Sequence, residues 1–245
     1  MSLTWPVYNL GVIDSTNTEA KRRAKAGGFA DCWLVAEAQT AGRGRLERGW
    51  VSPAGNLYSS ALFREPGGFA VASRIPFAAA LAVSDMVERL LPGVPARLKW
   101  PNDVRVEGAK VSGILIETGK DRNGLWVCAG IGVNVVSSPE SVGQAATSLA
   151  ALASGAVPSA DIVLAALRET FAARLAHARE GFEIIRRDWL KVAEGLGQTV
   201  RVSPGGTVME GVFEDMGPDG ALILRLPDGS QQTIRAGDVE LIRKG

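Results

Sequence analysis

Arginines and an aromatic side chain gather in one short stretch of this sequence, residues 39–58, where they could bind an anion. Arg43, Arg45 and Arg48 lie close together, and Trp50 follows them. Guanidinium groups this close repel one another unless an anion lies between them, and arginine binds phosphate well. Trp50 adds a flat apolar face beside the charges. The stretch therefore predicts a site for a nucleotide, with an ordinary solvated basic loop as the alternative.

Glycines separate these arginines, and predicted strands flank them. A glycine reaches positive φ without strain and lets the backbone approach a ligand closely. We expect that role from Gly42, Gly44, Gly49 and Gly55. Residues 32–38 form a predicted buried strand that leads into the stretch, and residues 57–63 form the strand that follows it. The two strands are expected to hold the loop between them.

A second group of charged side chains surrounds a Pro-Asn-Asp turn. The turn, residues 101–103, is expected to join two strands. Lys99 and Lys110 would supply positive charges on neighbouring strands, while Asn102 and Asp103 offer polar groups between them. Gly113 would allow close approach of the backbone. A plain hairpin with surface lysines is the alternative.

A third stretch, residues 130–135, is expected to be a strand with one bare face. Gly130, Gly132 and Asn134 alternate with apolar residues, so they share one face of the strand. A face without side chains weakens a strand unless something else occupies it. A ligand that Asn134 could bind, or a closely packed helix, would fill that space.

Hydroxyl and amide side chains begin the first predicted helix. Ser15, Thr16 and Asn17 precede a run rich in alanine, lysine and arginine that ends at Gly27, and Thr16 with Glu19 has the form of a capping box. These groups exceed what one cap needs, and donors at a helix N-terminus also suit a small polar ligand. A cap alone and a cap with a ligand contact both stay open.

The rest of the chain predicts a helical layer followed by a small β module. Apolar residues at helical spacing predict helices over residues 77–91 and 159–179, the second continuing to about residue 193. Five short β-like runs separated by Gly, Pro and Asp turns follow from Gln198. The predicted domains are residues 1–194 and residues 195–245.

Composition excludes several classes of protein. The 245 residues are 46% apolar, and 27 basic against 26 acidic side chains give a net charge of +1. That balance is far from the strongly basic charge of a typical nucleic-acid binder. No basic segment precedes an apolar leader, and we expect no apolar run near the roughly 18 residues of a membrane span. A cytoplasmic globular protein is the expectation.

Cysteine and histidine usage restricts the chemistry further. Cys32 and Cys128 lie in apolar contexts and are expected to be buried, reduced thiols. His177 is the only histidine and is expected on a surface helix. A Ser-His or Cys-His relay and a histidine-bound zinc are therefore disfavoured, and no metal-binding spacing occurs. Positioning and electrostatics must supply any catalysis.

These motifs together resemble the biotin–protein ligases of the short kind, over about residues 14–242. Six motifs occur in the order and spacing of that family: Ser-Thr-Asn at 15–17, Gly-Arg-Gly-Arg at 42–45, Arg48 with Trp50, Lys-Trp-Pro-Asn-Asp at 99–103, Lys110 with Gly-Ile-Leu at 113–115, and Gly-x-Gly-x-Asn at 130–134.

The resemblance implies a fold and a reaction. The fold is an α/β (α+β) catalytic domain of the class II aminoacyl-tRNA synthetase-like kind, with a mixed sheet and helices on one side, plus a small C-terminal β-barrel like the Src-homology-3 domain. Biotin is activated by magnesium-bound ATP as biotinyl-AMP with release of pyrophosphate. The biotinyl group then passes to a lysine of a biotin carboxyl carrier protein, expected to be that of acetyl-CoA carboxylase.

The resemblance also implies roles for individual residues. Biotin would be bound by Ser15, Thr16, Asn17, Gln39, Gly42, Arg43, Lys110, Gly113, Gly130 and Gly132. ATP would be bound by Arg45, Arg48, Trp50, Asn102, Lys110 and Asn134, with Trp50 stacked on adenine. The catalytic set would be Arg43, Arg45, Lys99, Asp103 and Lys110. The magnesium ligands are left unassigned.

One position departs from the family pattern. Glu47 stands where the family usually has the third glycine of its arginine loop. Its carboxylate either pairs with a neighbouring arginine or faces solvent, and this puts the nucleotide affinity in question. Only about a dozen residues precede Ser15, which leaves no room for the DNA-binding domain of family members that act as repressors. The resemblance therefore implies no operator binding.

Two other hypotheses about the function stay open at this point. A lipoate–protein ligase shares the architecture and the adenylation chemistry, and a regulator that binds biotin without catalysis is conceivable because of Glu47. The complete set of charged residues argues against the regulator. A homodimer is compatible with the resemblance, since family members often pair through their sheets, but the sequence decides neither the oligomeric state nor the range of carriers.

Overall fold

A mixed sheet organises the first part of the chain. The computed structural model describes residues 4–139, 144–204 and 207–242. The seven strands lie in the order β1-β3-β5-β9-β8-β7-β6, with β1 and β3 parallel and the other pairs antiparallel. A short pair, β2 and β4, lies apart. The strands are β1 (Val7–Asn9), β2 (Val12–Ile13), β3 (Cys32–Ala36), β4 (Ala38–Gln39), β5 (Leu57–Arg64), β6 (Ala96–Lys99), β7 (Asp103–Val106), β8 (Ala109–Asp121) and β9 (Gly124–Val133).

Six α-helices accompany these strands within the described ranges. They are α1 (Thr16–Ala26), α2 (Gly68–Ala72), α3 (Ile75–Leu90), α4 (Leu149–Leu152), α5 (Ala160–Glu180) and α6 (Glu183–Lys191). The four longer ones were predicted from the sequence, and α2 and α4 were not. The hydroxyl of Ser159 accepts a hydrogen bond from the amide of Ile162 and caps α5. The predicted capping box on α1 is wrong. Ser15 is the N-cap residue without a side-chain bond, and Glu19 pairs with arginines of its own helix instead.

Helices cover both faces of the sheet, whereas the resemblance had implied one face. Residues alternate along β3, so Trp33 packs with α3 and α5 in the main core while Cys32 and Leu34 pack with α1 in a smaller one. Ala20 and Ala24 of α1 belong to this second core. The strand period of two separates the two sets, because each face has its own apolar side chains to bury.

One segment is more apolar than the sequence analysis had allowed. Gly68–Leu90 is long and apolar enough to cross a membrane by length and composition alone, so the expectation of no such run was wrong. Of its most apolar window, 72% is buried inside the fold. The segment comprises α2 and α3, and α3 packs against α5, α6 and the sheet. Burial between two layers explains why this stretch is apolar nearly all round.

A second, all-β sheet follows from Thr199. Its five antiparallel strands, in the order β13-β12-β11-β10-β14, confirm the small β module that the β-like runs predicted and agree with the barrel that the resemblance implied. They are β10 (Thr199–Ser203), β11 (Met209–Met216), β12 (Leu222–Arg225), β13 (Gln231–Ile234) and β14 (Asp238–Leu241). Gly220 and Gly229 have φ of +81° and +85° in the predicted turns.

This second sheet is packed against the first part of the chain. The indole of Trp100 donates a buried hydrogen bond to the carbonyl of Gly220, and a Cβ added to Gly220 would lie 2.3 Å from the ring of Phe77. Arg105 of β7 binds Glu194 at 2.9 Å, beside the junction. Cys32 and Cys128 are free and buried, as predicted, and burial raises the pKa of both thiols.

Candidate active site

A cavity of about 160 Å³ lies on the α1 face of the sheet, just beyond the N-terminus of that helix. The arginine loop, β8, β9 and the start of α1 form its walls. Most of the predicted site residues line it: Ser15, Thr16, Asn17, Gln39, Arg43, Arg45, Arg48, Trp50, Asn102, Asp103, Lys110, Gly113, Gly130, Gly132 and Asn134. Gly42 and Lys99 are not among the lining residues. The tertiary structure thus gathers motifs that are more than a hundred residues apart in sequence.

The start of α1 is fixed to the cavity wall by a polar network. Gln39 accepts hydrogen bonds through its side-chain oxygen from the amide of Thr16 at 2.9 Å and from its hydroxyl at 3.3 Å. Its side-chain nitrogen donates to the hydroxyl of Ser52 at 2.9 Å. Buried Ser60 lies 2.8 Å from the hydroxyl of Thr16 and 2.6 Å from Oδ1 of Asn17. The hydroxyl of Thr16 is therefore held at the cavity and is not used as a helix cap.

The bare face of β9 is occupied by two side chains. A Cβ added to Gly130 would lie 2.1 Å from Oδ1 of Asn17, and one added to Gly132 would lie 2.7 Å from Nε1 of Trp50. Gly113 on β8 would meet the same indole at 2.9 Å. The packed helix that the sequence offered as one alternative is thus correct for Gly130, and the ligand alternative stays a prediction. The N-terminus of α1 packs on one glycine, and a side chain of the arginine loop packs on the other two.

The amides of Asn17 and Asn134 are engaged by the protein. Asn17 donates to the carbonyl of Leu115 at 3.2 Å and to the carboxylate of Glu117 at 3.1 Å. Asn134 donates to the carbonyl of Thr147 at 3.0 Å. Both residues are buried at the cavity wall. They therefore shape the wall whether or not they also contact a ligand, and their predicted binding roles stay predictions.

The arginine loop forms a small hairpin. The amide of Trp50 donates to the carbonyl of Gly42 at 2.9 Å, and the amide of Gly44 donates to the carbonyl of Arg48 at 2.7 Å. A Cβ on Gly42 would lie 2.2 Å from the carbonyl oxygen of Trp50, so only glycine fits there. The prediction of positive φ is correct for Gly55, at +96°, but wrong for the other three glycines. Gly42 and Gly44 let the two arms of the hairpin come close, whereas a Cβ on Gly49 would meet nothing within 4 Å.

Positive φ occurs in this loop at two residues that are not glycine. Leu46 and Glu47 have φ of +53° and +59°, where a Cβ is unfavourable. Glu47 is exposed and forms no ion pair among the described residues, so its carboxylate faces solvent and is not paired with an arginine. Glu47 therefore stands at a position where the backbone itself favours the glycine of the family pattern.

Two of the loop arginines are held by side chains from distant parts of the chain. Arg45 donates to Oδ1 of Asn102 at 3.0 Å, and Asn102 in turn donates to the carbonyl of Ile114 at 2.7 Å. Burial lowers the pKa of Arg45, although the charges of Asp238 and Asp103 oppose this. Arg48 binds Asp238 of β14 at 2.6 Å. The small β module thus contributes an acidic side chain to the cavity.

Lys110 and Asp103 form an ion pair at the cavity wall. Their charged atoms are 2.6 Å apart, and both side chains are about 15% exposed. The ammonium of Lys110 also lies 5.2 Å from the centre of the Trp50 ring. A lysine placed this way presents a positive charge to an anionic ligand while Asp103 fixes its position.

Lys99 lies next to this pair but outside the cavity lining. Residues Lys99 and Asp103 face each other across β6 and β7, and Lys110 is on β8. Lys99 and Lys110 are therefore separated by β7, so the prediction of neighbouring strands was wrong. The short turn at residues 100–102 makes β6 and β7 the neighbours instead. Burial lowers the pKa of Lys99, against the opposing charge of Asp103.

Arg43 is bound by a residue that the sequence analysis missed. One terminal nitrogen of Arg43 donates to both oxygens of Glu117 on β8, at 3.0 and 3.1 Å. Gly113, Leu115 and Glu117 alternate along β8, and their partners Gly132, Gly130 and Cys128 are on the same face of β9. Counting in twos from Gly113 would have found Glu117 on the cavity face.

Several other residues that line the cavity were given no role in the sequence analysis. They are Tyr58, Ile114, Leu115, Ile131, Gln144, Ala146 and Asp238, among others. Tyr58 donates to the carbonyl of Pro53 at 2.7 Å, and burial raises the pKa of its hydroxyl to about 12. Asp238 carried no signal in the sequence, because only the docking of the second sheet brings it to the arginine loop.

The described residues contain no cluster of three or more acidic, cysteine or histidine side chains that could hold a metal ion. His177 lies half-buried on α5, against the opposite face of the sheet.

Comparison with known proteins agrees with this geometry. The profile of the Biotin/lipoate A/B protein ligase family matches residues 10–134, and that of the Biotin protein ligase C terminal domain matches residues 195–242. The chain belongs to the biotin protein ligase family. The second profile favours the biotin over the lipoate branch.

Relatives of this biotin protein ligase family member support the same placement. The biotin–[acetyl-CoA-carboxylase] ligase of Paracoccus denitrificans is 40% identical, over 94% of this chain and 98% of that protein. The enzyme of the same name from Mycobacterium tuberculosis is 36% identical, over 94% and 86%. The biotin protein ligase of Aquifex aeolicus, solved in complex with biotin and ATP, has a TM-score of 0.83 at 29% identity, covering 98% of this chain and 99% of that one.

Proposed function

We propose that this chain is a biotin–[biotin carboxyl carrier protein] ligase that activates biotin with ATP and transfers it to a lysine of acetyl-CoA carboxylase. One observation carries the proposal: a glycine-floored cavity in a chain matched by both biotin ligase profiles is ringed by Arg43, Arg45, Arg48 and Lys110. Such a ring suits a reaction between two anions, a carboxylate and a polyphosphate. The names of the Paracoccus and Mycobacterium relatives give the carrier.

In the first step, a carboxylate oxygen of biotin attacks the α-phosphorus of ATP. The new oxygen–phosphorus bond forms biotinyl-AMP as the bond to the β-phosphate oxygen breaks, and pyrophosphate leaves with that electron pair. Lys110 and Arg45 offset the repulsion between the two anions and stabilise the charge that develops on the phosphates. Their own partners, Asp103 and Asn102, hold them in place beforehand.

In the second step, the neutral amine of the carrier lysine attacks the acyl carbon of biotinyl-AMP. An amide bond forms, the acyl–phosphate bond breaks, AMP leaves and the nitrogen loses a proton. No nucleophile of the enzyme takes part. This agrees with a cavity whose described lining lacks histidine and cysteine.

The wall residues divide between the two substrates. We assign the ureido end of biotin to Ser15, Thr16 and Gln39, whose hydroxyl and amide groups already lie in one network. Asn17 and backbone groups near Gly42 complete that end. The ring system would lie on the floor of Gly113, Gly130 and Gly132. We assign the nucleotide to Arg48, Trp50, Asn102 and Asn134. Lys99, which faces Asp103 across β6 and β7, would support that carboxylate from outside the cavity.

The indole of Trp50 must move if biotin and the nucleotide are to bind at the residues assigned to them. Its indole covers Gly113 and Gly132, which is the floor assigned to biotin. The cavity of about 160 Å³ is also smaller than the roughly 300 Å³ or more of ordinary ligand sites. We infer that biotin displaces the indole, which then becomes free to stack on adenine.

Magnesium enters as part of the second substrate in this proposal. Mg²⁺ keeps several water ligands and is usually bound by substrate phosphates with one or two carboxylates. The cavity offers Asp103 and Asp238, which fits that pattern and not an all-protein metal site. Neither carboxylate is singled out as the ligand.

Pyrophosphate release tests the proposal. The purified chain is mixed with magnesium-ATP and biotin, lipoate or neither, before any carrier is added. We expect release only with biotin, limited to about one turnover because the adenylate stays bound. Added carrier domain should restore turnover and gain the mass of one biotinyl group.

Other outcomes separate the rival functions. Release with lipoate alone would make the chain a lipoate ligase, and biotin binding without any release would make it a regulator. We further propose a cytoplasmic enzyme with domains at residues 1–194 and 195–245 and without operator binding. The net charge of +1 supports the last point, and a sequence-specific shift of DNA mobility would refute it.

A further inference from the structure

Glu117 is the centre of a charged cluster that connects three parts of the chain. Its carboxylate accepts from Asn17 at 3.1 Å, from Lys21 at 2.9 Å and from Arg43 at 3.0 Å. These donors come from the start of α1, from its second turn and from the arginine loop. The Glu117 side chain is only 17% exposed and is not among the cavity-lining residues.

The cluster keeps Glu117 ionised. Burial alone would raise the pKa of this carboxyl, but hydrogen bonds from Lys21 and Asn17 and the charge of Arg43 outweigh it and lower the pKa. Glu117 is therefore a fixed negative charge at neutral pH. It is carried on β8, where it pairs with Cys128 of β9.

Arg43 needs such a partner. Its loop contains only a short 3₁₀ turn and an isolated backbone bridge, and its long side chain loses rotamer entropy when it is ordered. Glu117 binds one terminal nitrogen and leaves Nε and the other terminal nitrogen without a protein partner within the described ranges. Arg43 also lines the cavity. Its remaining donors are available to a ligand there.

We propose that Glu117 is a positioning residue, which holds the guanidinium of Arg43 at the cavity so that its free donors bind biotin. This inference rests on the proposed function and adds a residue to it. Glu117 acts through Arg43 and does not itself touch the substrate. Its contacts with Lys21 and Asn17 keep the carboxylate charged and correctly placed.

A double-mutant cycle on biotin affinity tests this role, with calorimetry on the full chain in the absence of ATP. Glu117→Gln keeps the shape of the side chain and removes its charge. Because hydrogen bonds between charged groups are among the stronger ones, we expect the Kd for biotin to rise about tenfold. In an Arg43→Ala background the same change should alter the Kd less than about twofold, since the residue through which it acts is gone.

Matched variants exclude a purely structural role. Glu19→Gln removes another carboxylate that pairs with arginines on α1, at a place away from the cavity, and should leave the Kd unchanged. Lys21→Met removes a partner of Glu117 on α1, and should have less effect than Glu117→Gln. Urea unfolding of each variant gives its stability, so that a loss of folded protein is not mistaken for weaker binding.

Three results would overturn the inference. If Glu117→Gln changed the Kd for biotin equally with and without Arg43, Glu117 would support the fold only. A Kd in Lys21→Met that rose as much as in Glu117→Gln would mean the same. Tighter biotin binding in Glu117→Gln would mean that Glu117 competes with the substrate for Arg43. A wild-type chain that binds no biotin would instead refute the proposed function itself.

Discussion

The two faces of the seven-stranded sheet are built on different principles. On one face, α3 and α5 bury a large apolar core that includes Trp33, Phe63 and Phe171. On the other, α1 covers only a small apolar cluster, and the strands beyond its N-terminus carry glycines, polar side chains and ion pairs. The same strands supply both faces through their period of two. One face therefore stabilises the sheet, while the other is free to hold a site.

The largest effect on stability should come from the helical face. Phe171→Ala removes a fully buried ring that packs edge-on against Trp33 at 5.4 Å. We expect a loss of about 3–5 kcal/mol in the free energy of unfolding, measured by urea titration. Exposed Ile162→Ala on the same helix should change it by less than about 0.5 kcal/mol. The biotin affinity of the folded Phe171 variant should be unchanged, and a coupled loss would contradict the separation of the faces.

The largest effect on chemistry should come from the cavity face. Lys110→Ala removes a positive charge beside the reacting phosphate, so we expect pyrophosphate release to slow by about 10²–10³-fold. Lys120→Ala at the far end of the same strand is the matched control, because its ammonium lies over Phe69 and away from the cavity. An unchanged rate in Lys110→Ala would remove Lys110 from the mechanism.

A single methyl group tests the glycine floor. Gly132→Ala would bring a Cβ within 2.7 Å of the Trp50 indole and take space from the cavity. We expect biotin to bind about tenfold more weakly, which is the usual effect of one methyl group in a tight pocket. Gly155→Ala, with nothing within 4 Å of the new Cβ, should bind biotin normally. Equal affinities for the two variants would mean that biotin lies elsewhere.

The smallest effect concerns the strained loop. Glu47→Gly relieves a φ of +59°, worth about 1–2 kcal/mol, and loses about 0.5–1 kcal/mol through the flexibility of glycine in the unfolded chain. A net gain of up to about 1.5 kcal/mol in stability is expected. Glu107→Gly, at φ +50° in a turn away from the cavity, should gain a similar amount.

Glu47→Gly also tests whether the carboxylate of Glu47 affects nucleotide binding. Its carboxylate is exposed and unpaired within the described residues, so Glu47→Gly should change the KM for ATP by less than about threefold. A much lower KM in Glu47→Gly, but not in Glu107→Gly, would show that the carboxylate weakens nucleotide binding through the loop arginines.

Local patterns predicted a large part of the fold because each was short-range. The helices at residues 75–90 and 160–180, the five strands from Thr199 and the strand at residues 130–133 follow from apolar periodicity and turn chemistry, although the predicted strand was drawn two residues too long. The predicted capping box does not form because a tertiary partner, Gln39, binds the groups that the cap would use. Thr16 fits the cap pattern, yet its amide and hydroxyl are both bound to Gln39, which is 23 residues away.

The sequence by itself determined the residue types of the cavity, the family and the order of the elements, because those depend on motifs within a few residues of one another. Only the tertiary structure decided which side chains hold the arginines. Glu117 reaches Arg43 across 74 residues and Asp238 reaches Arg48 across 190. Such pairs have no local signal, since the distance between them is set by strand register and by the docking of the second sheet, which in turn depend on the whole packed core.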